Sequence, residues 1–398
     1  MRSAFVRLAA AAFAIAPTAA FAAPDSSNLP ATFDSIKAKM QSGGVGSIAV
    51  IGDSLSFRPG SWLYPFEDAL QSTYGNAGAG YEGFSFQTGG GFDAGWTMGL
   101  INTDTAPHQS LDGLWGSTSA ATTCSYQPID GRGNAVSQSY TLQYVTQPGG
   151  GSFHQFYFQP VNGTYQETTS SPVISTGGAQ GLGTITFAAN NTQGAPWYRT
   201  TGDGPVTILG QTMTTGQPGA IINRIANGGW GVNNFLERDW TFDTQFKLMS
   251  PDLVFVWLGQ NDQAYQTANA YAADIEKLVN RIKSDTPSAK ICLVGTYDQG
   301  SPALPRLVDG MYEASAAEDV GFLNVYSTAG DAQFFQNSGY LDDGVHFSTA
   351  GGNYVGNFMF DAFQTDGASL PEPGSLALVG VSGLLMLRRQ RRHPMPRG

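Results

Sequence analysis

The hydrophobic pattern of this chain changes period twice, and that change limits its fold more than any other feature. Residues 47–51 form a short β-branched run that feeds Gly52-Asp53-Ser54, the mark of a buried strand ending in a tight turn. After it, Trp62, Leu63, Phe66, Ala69, Leu70 and Tyr74 recur at helical spacing, with Gly75 placed to stop the helix. The alternation resumes far downstream. Residues 253–258, 291–294 and 321–326 read as strands, while 271–282, 307–317 and 354–363 read as helices. Apolar strands alternating with amphipathic helices predict a three-layer α/β/α domain with a parallel sheet covered on both faces.

Between residues 102 and 218 the period falls to two. Tyr140, Leu142 and Tyr144 alternate with Thr141, Gln143 and Val145, and residues 184–187 and 206–209 read as further strands. Arg132 and Arg199 are the only basic residues there, and Gly, Ser, Thr and Gln dominate. Alternation broken by glycine-rich turns predicts a β-sandwich or jelly roll. Roughly 115 residues suffice for a separate domain. The expected organisation is therefore an α/β domain over 45–101 and 219–366, interrupted by a β domain over 102–218.

The two ends read as addresses. Arg2 and Arg7 precede an apolar run that ends in Ala20-Phe21-Ala22, which predicts a secretory signal peptide over residues 1–22. At the far end, Pro371-Glu372-Pro373 is followed by the apolar stretch 374–387 and then Arg388, Arg389, Arg391 and Arg392. That stretch falls short of the ~20 residues of a stable bilayer span. Residues 371–398 resemble the PEP-CTERM sorting tail of Gram-negative bacteria. The resemblance implies transient membrane anchoring, recognition by an exosortase-type sorting enzyme, and export to the periplasm, cell surface or extracellular matrix.

These ends also distort the charge. The whole chain has 20 basic and 31 acidic residues, net −11. The ends hold seven of the basic residues and one acid, which leaves 13 basic and 30 acidic residues, net −17, between them. So acidic a body excludes nucleic acid as a partner, because nothing is available to neutralise phosphates. Two cysteines exclude a disulfide-stapled scaffold, and a bond between Cys124 and Cys292 is left open. No Cys/His cluster has metal-ligand spacing, so neither a metal nor another cofactor is expected.

The candidate chemistry lies in three blocks. Ser54 stands at the carboxyl end of the first strand, where open α/β sheets place their sites. Its hydroxyl needs a base to become a nucleophile. Of the four histidines, His346 stands in Asp343-Gly344-Val345-His346 ahead of the last helix. An Asp three residues before a His can share one side of a tight turn and fix the imidazole tautomer. The strand at 253–258 ends in Gly259-Gln260-Asn261-Asp262, which brings an amide to the same sheet edge. Asn227-Gly228-Gly229-Trp230-Gly231 adds a glycine turn whose N–H can bind an oxyanion.

Gly52-Asp53-Ser54-Leu55-Ser56, Gly259–Asp262 and Asp343–His346 together resemble the SGNH, or GDSL, hydrolases. The resemblance implies Ser54 as nucleophile, His346 as base and Asp343 as the orienting acid. It implies an oxyanion hole of the Ser54 N–H, Asn261 and a glycine. Spacing favours Gly229 for that position, with Gly228 and Gly231 as alternatives. Tyr74-Gly75-Asn76-Ala77-Gly78-Ala79-Gly80-Tyr81 followed by a β domain resembles the peptidoglycan O-acetyl esterase branch, where a carbohydrate-binding-like domain is inserted here. The expectation is a secreted serine esterase that removes short acyl groups, acetyl first, from a polysaccharide. A lipase or thioesterase, acyl transfer between sugars, and a non-catalytic polysaccharide-binding matrix protein are the other readings.

Overall fold

Strands that are apolar at successive positions need cover on both faces. In the strand Val45–Gly52, Ile48 and Val50 enter one core, and Ala49 and Ile51 enter another. Phe255 and Cys292 join the first core from neighbouring strands, and Val254 and Leu293 join the second. Helices Leu29–Gln41, Leu63–Tyr74 and Thr349–Thr365 cover the first face. Trp240–Met249, Ala268–Asp285 and Leu304–Ala317 cover the second. The computed structural model describes residues 25–365, apart from residue 59 and segments 85–94, 100–106, 126–138, 162–163, 170 and 189–196. The expected signal peptide and sorting tail lie outside the described residues.

The central sheet runs Ser26–Ser27, Gly321–Asn324, Lys290–Gly295, Leu253–Trp257, Val45–Gly52, Gly219–Ala226, Asn76–Gly78. It is parallel as expected except at one edge, which makes it mixed. Ser26–Ser27 runs antiparallel to Gly321–Asn324 at one edge, and the other neighbours are parallel. A two-residue edge strand needs no crossover helix, so no apolar run announced it. The α/β domain also starts before residue 45, because Leu29, Phe33, Ile36 and Met40 of the first helix are core residues. The strand expected at 321–326 stops at Asn324, whose side chain accepts the Ser327 N–H (3.2 Å) and starts a helical turn, Val325–Thr328.

The period-two region forms two antiparallel sheets. One orders Thr164–Thr169, Ser152–Val161, Trp197–Thr200 and Thr123–Ser125. The other orders Gly181–Ala188, Ser139–Thr146, Val206–Thr214, Gly116–Thr118 and Thr97–Met98, with Gly80–Gly83 also paired to Val206–Thr214. Leu142, Tyr144, Val206 and Ile208 of the second sheet share a core with Cys124, Phe153 and Tyr198 of the first. The Tyr144 and Phe153 rings meet edge-on at 5.4 Å across it. Strands from as early as Gly80 join this region, upstream of the expected start at residue 102. Cys124 lies in this core and Cys292 in the α/β core; both are buried free thiols, so the bond left open is not made.

The two regions are joined by a buried ion pair. Arg224 of the central sheet donates to Glu82 at 2.7 Å, both side chains being at most 5% exposed. It also donates to the Tyr64 hydroxyl (2.8 Å). Losing one partner would leave a buried charge uncompensated, so the pair fixes the junction more than it stabilises the fold.

Candidate active site

Gly52 pairs in register with Ala226 on one side and Trp257 on the other. The turns that follow these three adjacent strands therefore leave the sheet at one level. They carry Ser54, residues 227–231 and residues 259–262. This is the carboxyl edge of the sheet, where α/β folds place ligands.

Ser54 opens a one-turn helix, Ser54–Phe57, and is nearly buried. Asp53 caps that turn by accepting the Leu55 N–H at 2.9 Å. Gly52 must be glycine for close approach, since a Cβ there would stand 2.6 Å from the Ser56 hydroxyl. That hydroxyl accepts the Trp62 indole N–H (3.1 Å), which ties the turn to the core.

The His346 Nε2 lies 2.9 Å from the Ser54 Oγ, and its Nδ1 lies 2.7 Å from the Asp343 Oδ2. Asp343 holds its own loop as well. Its Oδ1 accepts the N–H groups of Val345 (3.1 Å) and His346 (2.8 Å), with Gly344 at φ 83 making the turn. The His346 N–H above all, opposed by burial and helped by the His346 ring and the Val345 N–H, holds this carboxyl well below the usual carboxylate range. The Tyr297 hydroxyl donates to the Val345 carbonyl, while its ring packs on Phe335 (4.9 Å) and Phe347 (4.8 Å). An ionised Asp343 accepts the Nδ1–H, which turns the Nε2 lone pair toward the serine hydroxyl. The arrangement can carry a proton from Ser54 to His346 and stabilise the imidazolium that results.

Asn261 donates its amide to the Trp230 carbonyl (2.8 Å), so the two candidate oxyanion loops touch. Asp262 ties them a second time, accepting the Val232 N–H with one oxygen and the Gly259 N–H with the other, each at 3.0 Å. Burial pushes the Asp262 carboxyl up. Of the three glycines, Gly231 has its N–H engaged by the Asn234 side chain (2.8 Å). Gly229 is exposed at the turn with φ 72, and Gly228 is buried. The bracing roles of Trp230 and Tyr297 escaped sequence reasoning. Asp262, next to Asn261, was expected to support its loop, and it does; nothing signalled Tyr297.

The other described histidines lie elsewhere: His108 contacts Arg238 (2.9 Å) and His154 neighbours Phe156 in the β region. Among the described residues no group of three or more His, Cys, Asp or Glu could hold a metal ion, and no helix is long and apolar enough to cross a membrane.

Residues 190–352 match the model of the GDSL-like Lipase/Acylhydrolase family. The chain carries a GDSL-like acylhydrolase domain. It is an ester-hydrolysing serine hydrolase. Asn261, Asp343 and His346 lie inside the matched span, and Ser54 lies before it, beyond the β region. A solved structure described as a peptidoglycan O-acetylesterase in action is 16% identical, covers 86% of this chain and 99% of its own, and superposes with a TM-score of 0.67. That likeness shows the fold. A family two carbohydrate esterase from Clostridium thermocellum in complex with cellohexaose is 12% identical over 68% of this chain and 99% of its own, but its TM-score of 0.30 adds nothing. No curated protein sequence matches the chain.

Proposed function

We propose that this acylhydrolase is an exported esterase that removes short acyl groups, acetyl first, from a polysaccharide. The observation that carries the reading is the unbroken contact from Ser54 through His346 to Asp343. Ser54 attacks the acyl carbonyl as His346 takes its proton, and the charge on Asp343 stabilises the imidazolium. The oxyanion is held by the N–H groups of Ser54 and Gly229 and by the Asn261 amide, each donor worth about 10²–10³ in turnover. Collapse breaks the ester bond, and His346 returns its proton to the departing sugar oxygen. Water, deprotonated by His346, then releases the acid and restores Ser54.

The polysaccharide is supported by the fold shared with a peptidoglycan O-acetylesterase and by the β region joined to the central sheet through Arg224 and Glu82. Export through residues 1–22 and sorting through 371–398 rest on the sequence alone. The test is acetate release from acetylated polysaccharides and from 4-nitrophenyl acetate by wild type and Ser54→Ala. The variant should lose both; equal rates would sink the reading. A rate that peaks on long acyl chains would turn it toward a lipase.

A further inference from the structure

The loops that carry Ser54 and His346 run on into one cavity. It holds about 250 Å³ and is lined by Gly60, Ser61, Tyr64, Pro65, Asp68, Thr349 and Asn353. Its wall begins two residues beyond Arg58, whose N–H binds the Ser54 carbonyl (3.2 Å) and whose guanidinium reaches Asp343 (3.4 Å). The opposite wall begins three residues beyond His346. The two walls are pressed together below: a Cβ on Gly352 would stand 1.9 Å from the Gly60 carbonyl. The cavity is therefore fixed to both catalytic loops.

From this geometry we infer a subsite for a neutral sugar residue that flanks the acylated one. The inference deepens the polysaccharide reading and rests on it. At this volume the cavity is below the ~300–1,000 Å³ of drug-sized pockets, which suits one ring and its hydroxyls. Its lining offers what such a ring recognises: a half-buried aromatic ring, two hydroxyl side chains, an amide and a carboxylate. Tyr64 is already oriented, because the buried Arg224 donates to its hydroxyl at 2.8 Å. The Asn353 amide, exposed at the first turns of the last helix, makes no hydrogen bond among the described residues. Asp68, exposed on the helix Leu63–Tyr74, adds a carboxylate to this lining and with it negative charge that disfavours a uronate. The net charge of −17 between the ends acts in the same direction.

The test compares wild type, Asn353→Ala and Asp68→Asn on three substrates: 4-nitrophenyl acetate, acetylated xylan and acetylated alginate. Both positions are exposed, so folding is expected to survive. On 4-nitrophenyl acetate the variants should match wild type. On acetylated xylan KM should rise about three- to tenfold with kcat held, as expected for losing one or two hydrogen bonds. Asp68→Asn should also narrow the preference for xylan over alginate. Unchanged KM on xylan in both variants would overturn the subsite while leaving the esterase intact. So would hydrolysis of 4-nitrophenyl acetate with no action on either polymer. Loss of all activity in wild type would instead remove the esterase reading itself.

Discussion

Asn261 donates its side-chain amide to the Trp230 carbonyl at 2.8 Å, joining the turn after one strand to the turn after its second neighbour. The contact uses one amide N–H, and the proposed mechanism assigns the other to the substrate oxyanion. It also explains why the following residue is Asp. Asp262 anchors the same two turns through Val232 and Gly259, so the donor amide is held from both sides. Pre-placed donors of this kind need no reorganisation when charge develops in the transition state.

Asp262→Ala should therefore act on turnover more than on binding. The variant leaves two buried N–H groups without acceptors, a cost of about 1–3 kcal/mol each. It also frees the Asn261 turn, and a misplacement of about 1 Å can reduce the rate ~10²-fold. Kinetics on 4-nitrophenyl acetate should show kcat down by about 10–10² with KM little changed, alongside a lower Tm. A KM rise with kcat intact would mean that Asp262 contacts the substrate.

Gly231 tests the same brace from the other side. A Cβ there would stand 2.3 Å from the Asp262 Oδ1 and 2.3 Å from the Tyr265 hydroxyl. Gly231→Ala should displace Asp262, lowering stability by about 1–3 kcal/mol as overpacking does. Gly229→Ala differs, because φ 72 holds its backbone in the left-handed region. It should cost roughly 1–2 kcal/mol of stability. If the Gly229 N–H binds the oxyanion, kcat should fall further than the change in Tm accounts for; denaturation midpoints and kcat measured on both variants separate the two.

Asp343→Asn would preserve the shape of the loop and remove the charge. Its side-chain oxygen can still accept the backbone N–H groups of Val345 and His346, but the amide competes for His346 Nδ1 and favours the wrong tautomer. A loss of about 10³–10⁴ in kcat is expected, following other serine hydrolases with this change. Tyr297→Phe should be milder, because it removes one hydrogen bond to Val345 and keeps the ring packing. That variant should lose about 0.5–1.5 kcal/mol of stability. Equal activity of Asp343→Asn and wild type would exclude Asp343 as the orienting acid.

The sequence made the strands and their turns readable for a physical reason. Val45–Gly52, Leu253–Trp257 and Lys290–Gly295 are covered on both faces, so their burial shows as continuous apolar runs. Ser54, Asp343 and His346 were legible because each belongs to a short turn whose geometry needs particular residues. Ser26–Ser27 was hidden because an edge strand of two residues has no pattern. The Arg224–Glu82 pair was hidden because a buried charge looks like a surface charge in sequence. Tyr297 and Trp230 act through a hydroxyl and a carbonyl that long-range packing delivers, and no local spacing records such contacts.

Buried carboxyls give the last prediction. Asp53 and Asp112 are each pushed up to about 7, mainly by burial, although Leu55 and Leu114 N–H groups oppose the shift. For Asp112 the ionised form is favoured somewhat by Arg224, which does not offset its burial. Between an unfolded value near ~3.9 and these folded values, the native state binds more protons than the unfolded chain. Stability should therefore fall as pH rises from about 4 to 7 and level off above, the reverse of the usual salt-bridged carboxylate. Asp112→Asn keeps an oxygen for the Leu114 N–H (3.1 Å) and cannot ionise. Urea unfolding of this variant should show a flatter decline over that range and a smaller deficit at pH 8, on the order of 1–3 kcal/mol. A variant that follows the wild-type pH profile unchanged would show that Asp112 is already ionised in the native state at low pH.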